Sequence, residues 1–276
     1  MPIAIRDTAI PGPHGHVPLR LYVPDTASGA ALLWIHGGGF VKGDLDMPEA
    51  DAVARDLAAA GTAVASVDYR LALDGVHFPV PGDDVDAAWR WASAGGTLGV
   101  PAAHWHLGGA SAGANLAAAA ALRARDTGLP APAGIVLVYP VLHDVLPTPL
   151  ASLAALIAEL PPEARFPPQL CREMNLNYVG SPDLLQHPYA FPAHGDVAGL
   201  APTLIVNAEV DDLRPSGEHF AAQLARHGVD VAVVCERGTR HGYLNDFSLP
   251  AAARTVGRIA DWIAAREREL ALSSPG

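Results

Sequence analysis

Two short stretches of this 276-residue chain place reactive residue types where the backbone can sharpen them. In "GGASAGANL" (108–116), Ser111 stands between Gly109 and Gly113, where an apolar run, "HWHLGG", meets an alanine-rich one. A G-x-S-x-G serine in that context sits on a tight, strained strand-to-helix turn, and the free N–H groups of the helix start favour negative charge beside it. In "HGGGF" (36–40), three glycines end a hydrophobic run. Each weakens a helix or strand by roughly 0.5–1 kcal/mol relative to alanine. The gain is backbone N–H groups that a substrate can approach. An acyl carbonyl attacked by Ser111 becomes an oxyanion, and one preorganised donor aimed at that oxygen is worth about 3–4 kcal/mol.

A serine hydroxyl needs a base to take its proton, and histidine is the side chain that titrates near neutrality. Twelve histidines compete for the role. His241, in "RGTRHGYLND", follows the last apolar run and precedes the C-terminal helical pattern. It therefore belongs on a loop at the carboxyl edge of a sheet, last in the order serine, acid, histidine. The acid that orients it is expected on the preceding loop, where "NAEVDDLRP" (207–215) offers Glu209, Asp211 and Asp212. His14 and His16 fall in a turn, and His104 and His106 flank Trp105 on the strand leading to Ser111. These four read as solvated or structural rather than as metal ligands.

The elements that must hold these residues alternate along the chain. Strand-like runs at 3–10, 17–24, 30–36, 62–69, 104–109, 134–141, 202–209 and 229–236 are interleaved with helical patterns at 48–60, 83–94, 112–125, 215–227 and 250–269. Strands that are apolar throughout, separated by amphipathic helices, imply a mostly parallel sheet covered on both faces. One doubly wound α/β domain spanning 1–276 is expected. The stretch from His143 to about Val197 breaks the rhythm, with seven prolines before Asp183 and helical patches near 150–160 and 169–178. An insertion of that length at a strand's carboxyl end is expected to cap the site, chiefly through residues 143–190.

The formal charge is −11, with Lys42 the single lysine and no Lys/Arg cluster, which argues against a nucleic-acid partner. Cys171 and Cys235 lack metal-type or redox-type spacing and read as two reduced thiols. "MPIAIRDTAIPGPHGH" lacks the apolar core of an export signal, and the longest uncharged stretch, 91–122, carries too many glycines for a membrane span. A cytoplasmic protein without membrane association is expected.

The chain resembles the hormone-sensitive-lipase-like carboxylesterases of the α/β-hydrolase superfamily: "HGGGFVKGDLD", "VDYRLAL", "GASAGANLA", "NAEVDDLR" and "RHGY" occur in the family's order. Carried over residue by residue, the resemblance implies Ser111 as nucleophile, Asp211 as acid and His241 as base. It implies an oxyanion hole from the N–H groups of Gly38, Gly39 and Ala112, supported by His36 and Gly37. Asp68 and Arg70 match a motif read as structural, a buried ion pair. Ala110 stands where the family usually has Asp, and Pro215 where a second acid usually follows. Typical members carry a helical cap before the glycine loop, whereas this chain begins directly with strands, so no N-terminal cap segment is expected.

The predicted activity is hydrolysis of short- to medium-chain acyl esters, with no metal and no cofactor. The partner is a small-molecule ester, and the resemblance implies a homodimer. An amidase of the arylformamidase type would use the same groups and differ in the leaving group. A non-catalytic receptor on this fold would be expected to have lost the serine or the histidine.

Overall fold

The structure, a computed structural model, describes residues 2–273. Eight strands form one sheet: β1 (Ile3–Gly12), β2 (Gly15–Pro24), β3 (Ala31–Ile35), β4 (Ala63–Val67), β5 (Trp105–Ala110), β6 (Ile135–Val138), β7 (Thr203–Val210) and β8 (Val231–Arg240). Their order is β1-β2-β4-β3-β5-β6-β7-β8, parallel from β4 to β8, with the β1–β2 hairpin attached antiparallel at one edge. The helices are α1 (Pro48–Ala59), α2 (Val80–Ala92), α3 (Ala112–Asp126), α4 (Ala151–Ala158), α5 (Pro168–Val179), α6 (Arg214–Arg226) and α7 (Pro250–Ser273). No described helix is long and apolar enough to cross a membrane.

Every residue of β3, β4, β5 and β6 is buried, because helices cover both faces. Positions on both faces are therefore mostly apolar, with Ser66 and His106 the buried polar exceptions, which is why these strands read as nearly continuous apolar runs. Val85 and Trp89 of α2, Leu116 of α3 and Phe220 of α6 belong to the core on one face. Val53 and Leu57 of α1, with Val256 and Ile259 of α7, belong to the core on the other.

Ile35, Gly109, Leu137, Ile205 and Val233 lie in one row across β3, β5, β6, β7 and β8. His36, Ser111, Asp211 and His241 lie beyond this row in their own segments, so all four emerge at the carboxyl edge. Parallel α/β sheets bind ligands at that edge.

Three expectations about the elements are corrected. The strand expected at 134–141 ends at Val138, because Tyr139, whose N–H still donates to the Val206 carbonyl, turns to φ 37° and bends the chain out of strand geometry. The last strand continues past 236 to Arg240, with a register irregularity opposite Ala208 and Val210, and so delivers His241 directly from its end. Arg70 does not pair with Asp68; its guanidinium and backbone N–H both bond the fully buried Asp84 at the start of α2. The buried carboxylate needs those donors, and sequence proximity did not select the partner.

The insertion between β6 and β7 has two parts. Helices α4 and α5 stand near the carboxyl edge, whereas Leu185, Ala190, Phe191 and Val197 are buried in the core and form part of the domain wall.

Candidate active site

Ser111 takes φ 53° and ψ −118°, outside the ordinary regions for a side-chain-bearing residue. Such a conformation persists only where its surroundings over-determine it. Here β5 and α3 approach so closely that a Cβ on Gly109 would lie 2.5 Å from the Gly113 backbone, and one on Gly113 would collide with the carbonyls of Ile35 and His36. The Ser111 N–H donates to the Val138 carbonyl at 2.9 Å, fixing the turn to β6.

Ser111 Oγ lies 2.9 Å from His241 Nε2, and His241 Nδ1 lies 2.8 Å from Asp211 Oδ2. The other Asp211 oxygen accepts the Leu213 N–H at 2.9 Å. Burial by itself depresses the His241 pKa, but the Asp211 carboxylate more than offsets this, helped by Glu49 and Asp212, and the balance lies above the ordinary value. Phe166 and Tyr139 stand edge-on to the imidazole at centroid distances of 4.6 and 5.0 Å, shielding it from water.

Of the three acids that the sequence left open, only Asp211 reaches His241. Glu209 accepts hydrogen bonds from Arg237 and the Gly238 N–H, and Asp212 accepts the Phe166 N–H at 2.9 Å. His104 and His106 sit away from this edge, both bonded to Glu267 of α7. No group of three or more His, Cys, Asp and Glu residues among the described residues forms a metal-ligand set.

The glycine loop faces the serine. Gly38 has φ 105°, and a Cβ there would collide with the Lys42 carbonyl, so this turn admits only glycine. Buried His36 stacks on Tyr69 at 4.5 Å and contacts the Gly37 carbonyl through Nδ1 at 2.8 Å. The Tyr69 hydroxyl donates to the His36 and Gly37 carbonyls at 3.1 and 3.2 Å. Among the described residues the N–H groups of Gly38, Gly39 and Ala112 meet no acceptor.

Residues 32–245 match the family described as alpha/beta hydrolase fold. Esterase LipI of Mycobacterium tuberculosis is 36% identical over 93% of this chain and 80% of its own length. Ethyl acetate hydrolase of Pseudomonas putida is 35% identical over 88% of this chain and 76% of its own. The crystal structure of EstE1, a thermostable carboxylesterase cloned from a metagenomic library, superposes with a TM-score of 0.86 at 32% identity, covering 96% of this chain and 90% of that one. The chain belongs to the hormone-sensitive-lipase-like carboxylesterases of the α/β-hydrolase fold.

The site of this esterase opens into a cavity of about 910 Å³ bordered by Gly38, Gly39, Ser111 and His241 on one side. Phe166, Leu170, Cys171 and Met174 border it on the other. Burial pushes the Cys171 thiol up to about 12, so it is not a competing nucleophile. Helix α5 is held over the glycine loop by Tyr178, whose ring stacks on Phe40 at 3.9 Å.

Sequence reasoning missed three residues of this esterase's site. Glu49 and Asn245 line the cavity from α1 and the loop after His241, and Tyr139, following β6, bonds Glu49 and stands edge-on to His241. Glu49 carried a usable signal, an acid on the face of α1 shared with Val53 and Leu57. Tyr139 and Asn245 carried none.

Proposed function

We propose that this enzyme hydrolyses short- to medium-chain acyl esters through Ser111, His241 and Asp211. One observation carries the reading: a serine in a strained turn whose hydroxyl is 2.9 Å from an imidazole that is itself 2.8 Å from a buried carboxylate. Ser111 Oγ attacks the ester carbonyl while its proton passes to His241 Nε2. Asp211 holds the imidazole in the required orientation and stabilises the imidazolium. The N–H groups of Gly38, Gly39 and Ala112 receive the developing oxyanion, His36 and Gly37 supporting their loop. Collapse of the tetrahedral adduct breaks the bond to the alcohol, which leaves with the proton from Nε2. Water then attacks the acyl-enzyme by the same route and releases the acid.

The size of the cavity and its apolar wall of Phe166, Leu170 and Met174 support acyl chains beyond acetyl. Relatives whose names specify ethyl acetate hydrolase and acetyl-hydrolase support the short end of the range. Ser111→Ala should abolish hydrolysis of p-nitrophenyl acetate by folded protein, and retained activity would refute the assignment. A series of p-nitrophenyl esters of increasing chain length, run beside N-formylkynurenine, tests the substrate range; faster cleavage of the formamide than of every ester would replace the ester reading with an amidase one.

A further inference from the structure

Glu49 is the most completely engaged acid in the cavity wall, and the triad does not account for it. It is 1% exposed and is the second residue of α1. Oε1 accepts the Gly37 N–H at 2.7 Å. Oε2 accepts the Tyr139 hydroxyl at 2.7 Å and the Asn245 side-chain amide at 3.1 Å. Its own carbonyl accepts the Trp34 indole N–H at 2.8 Å, and its N–H donates to Asn245 Oδ1 at 3.3 Å.

These partners belong to three separate segments. Gly37 opens the glycine loop, Tyr139 is the strained residue ending β6, and Asn245 lies four residues after His241, with its amide also reaching the Gly242 carbonyl. An isolated buried carboxylate is costly, and an apolar residue would fill the space without that cost. The placement makes sense if the charge has work to do at the site it borders.

Resting on the serine-esterase reading above, we infer that Glu49 is a positioning residue: it locks the glycine loop and the histidine loop into one frame and adds a negative charge from α1 to those of Asp211 and Asp212 near the imidazolium formed during acyl transfer. Its contact with Gly37 fixes the peptide that precedes the Gly38 and Gly39 donors. Its contacts with Asn245 restrain the turn that carries His241. Preorganised donors lose nothing to reorganisation at the moment of reaction, so such a frame acts on the transition state rather than on substrate binding.

A purely structural acid would cap α1 and affect stability alone. The histidine separates the two roles. The charged groups around it are Asp211 and Asp212 from the β7–α6 connection and Glu49 from α1; Ser111, Tyr139 and Phe166 complete its surroundings without charge. Burial pushes the Glu49 pKa up, but the groups on its oxygens, the Gly37 N–H, the Tyr139 hydroxyl and the Asn245 amide, all donate and so favour the carboxylate. Each of the three carboxylates favours the protonated ring, so removing the Glu49 charge should make His241 easier to deprotonate.

The experiment measures kcat, KM and the pH profile of kcat/KM for the full chain carrying Glu49→Gln or Glu49→Asp, with thermal melts alongside. Glu49→Gln should lower kcat by roughly 10- to 100-fold, below the loss for an oxyanion donor itself, with KM nearly unchanged and the acid limb moved to lower pH. Glu49→Asp keeps the charge and should return the acid limb to its wild-type position with an intermediate kcat. A folded Glu49→Gln enzyme with wild-type kcat, or one with an unmoved acid limb, overturns the inference. Should Glu49→Gln fail to fold, Asn245→Ala decides: a several-fold loss in kcat at constant KM supports the frame, and an unchanged kcat rejects it. Activity retained by Ser111→Ala would instead defeat the underlying reading, a result distinct from any of these.

Discussion

The two walls of the cavity are built on different physical terms. On the strand-end wall, the positions of Ser111, His241 and the glycine loop follow from backbone collisions and buried hydrogen bonds: β5 meets α3 without room for a Cβ, and Glu49 and Asp211 are each buried with their oxygens engaged. On the other wall, side chains of α5 and the segment before it meet the cavity, and what fixes them is mostly contact at the end of α5 and bonds to main-chain atoms. These include the Phe40–Tyr178 stack, the Phe78 N–H on the Tyr178 carbonyl, the Asn177 amide on the Ala72 carbonyl, the Asp212 bond to the Phe166 N–H and the Asn175 amide on the Asp144 carbonyl. Around this wall Leu150 is 74% and Leu156 44% exposed, so much of its apolar surface is not committed to the core. The first wall leaves little freedom to change without losing the chemistry. The second can change its side chains and alter which substrates fit.

That contrast is open to direct attack. Asp211→Asn should lower kcat by about 10⁴-fold for every ester alike, since the imidazole loses the carboxylate that sets its tautomer; steady-state kinetics across ester lengths checks this, and a loss confined to long chains would blur the distinction. Gly113→Ala drives a methyl into the Ile35 and His36 carbonyls and should destabilise the fold by about 1–3 kcal/mol, read from denaturant unfolding. An unchanged midpoint would mean that the elbow is looser than its geometry indicates.

The acid limb of kcat/KM offers a third check. In the proposed mechanism His241 must be neutral to accept the proton, and its neighbouring carboxylates hold its pKa above the ordinary 6.5. Activity is therefore expected to fall as the pH drops through a value above 6.5, and a midpoint below it would contradict the charge arrangement. The smallest effect belongs to the α5 wall. Met174→Ala removes a side chain that overlies Gly39 and should change kcat/KM ratios between long and short esters by only about 2- to 10-fold, in line with roughly 0.8 kcal/mol per methylene buried, leaving the acetate rate nearly intact. A uniform loss across all chain lengths would place α5 among the catalytic supports.

The sheet was legible because buried parallel strands must be apolar on both faces, and β3, β4 and β5 stand out as such runs. Its ends were less so. Tyr139 leaves β6 through a strained backbone angle that its residue type does not announce, and β8 runs on through Glu236, Arg237 and Thr239, where buried Glu236 and Thr239 are bonded to Arg254 and to the Glu209 N–H, partners that the local pattern does not reveal. The insertion resisted reading because its latter part is core and its earlier part is cavity wall, and helical spacing alone does not say which surface a helix faces.

By itself the sequence determined where the Ser111 turn, the glycine loop and the loop of His241 lie, because each is a local backbone demand: positive φ, absence of a Cβ, a helix start behind a strand end. Tertiary structure alone decided the pairings of the carboxylates. It chose Asp211 over Glu209 and Asp212, gave Arg70 to Asp84, and brought Glu49 to Gly37, Tyr139 and Asn245. A charge buried among several donors takes whichever partners the packed elements present within hydrogen-bond reach, and separation along the chain, 196 residues between Glu49 and Asn245, carries no information about that distance.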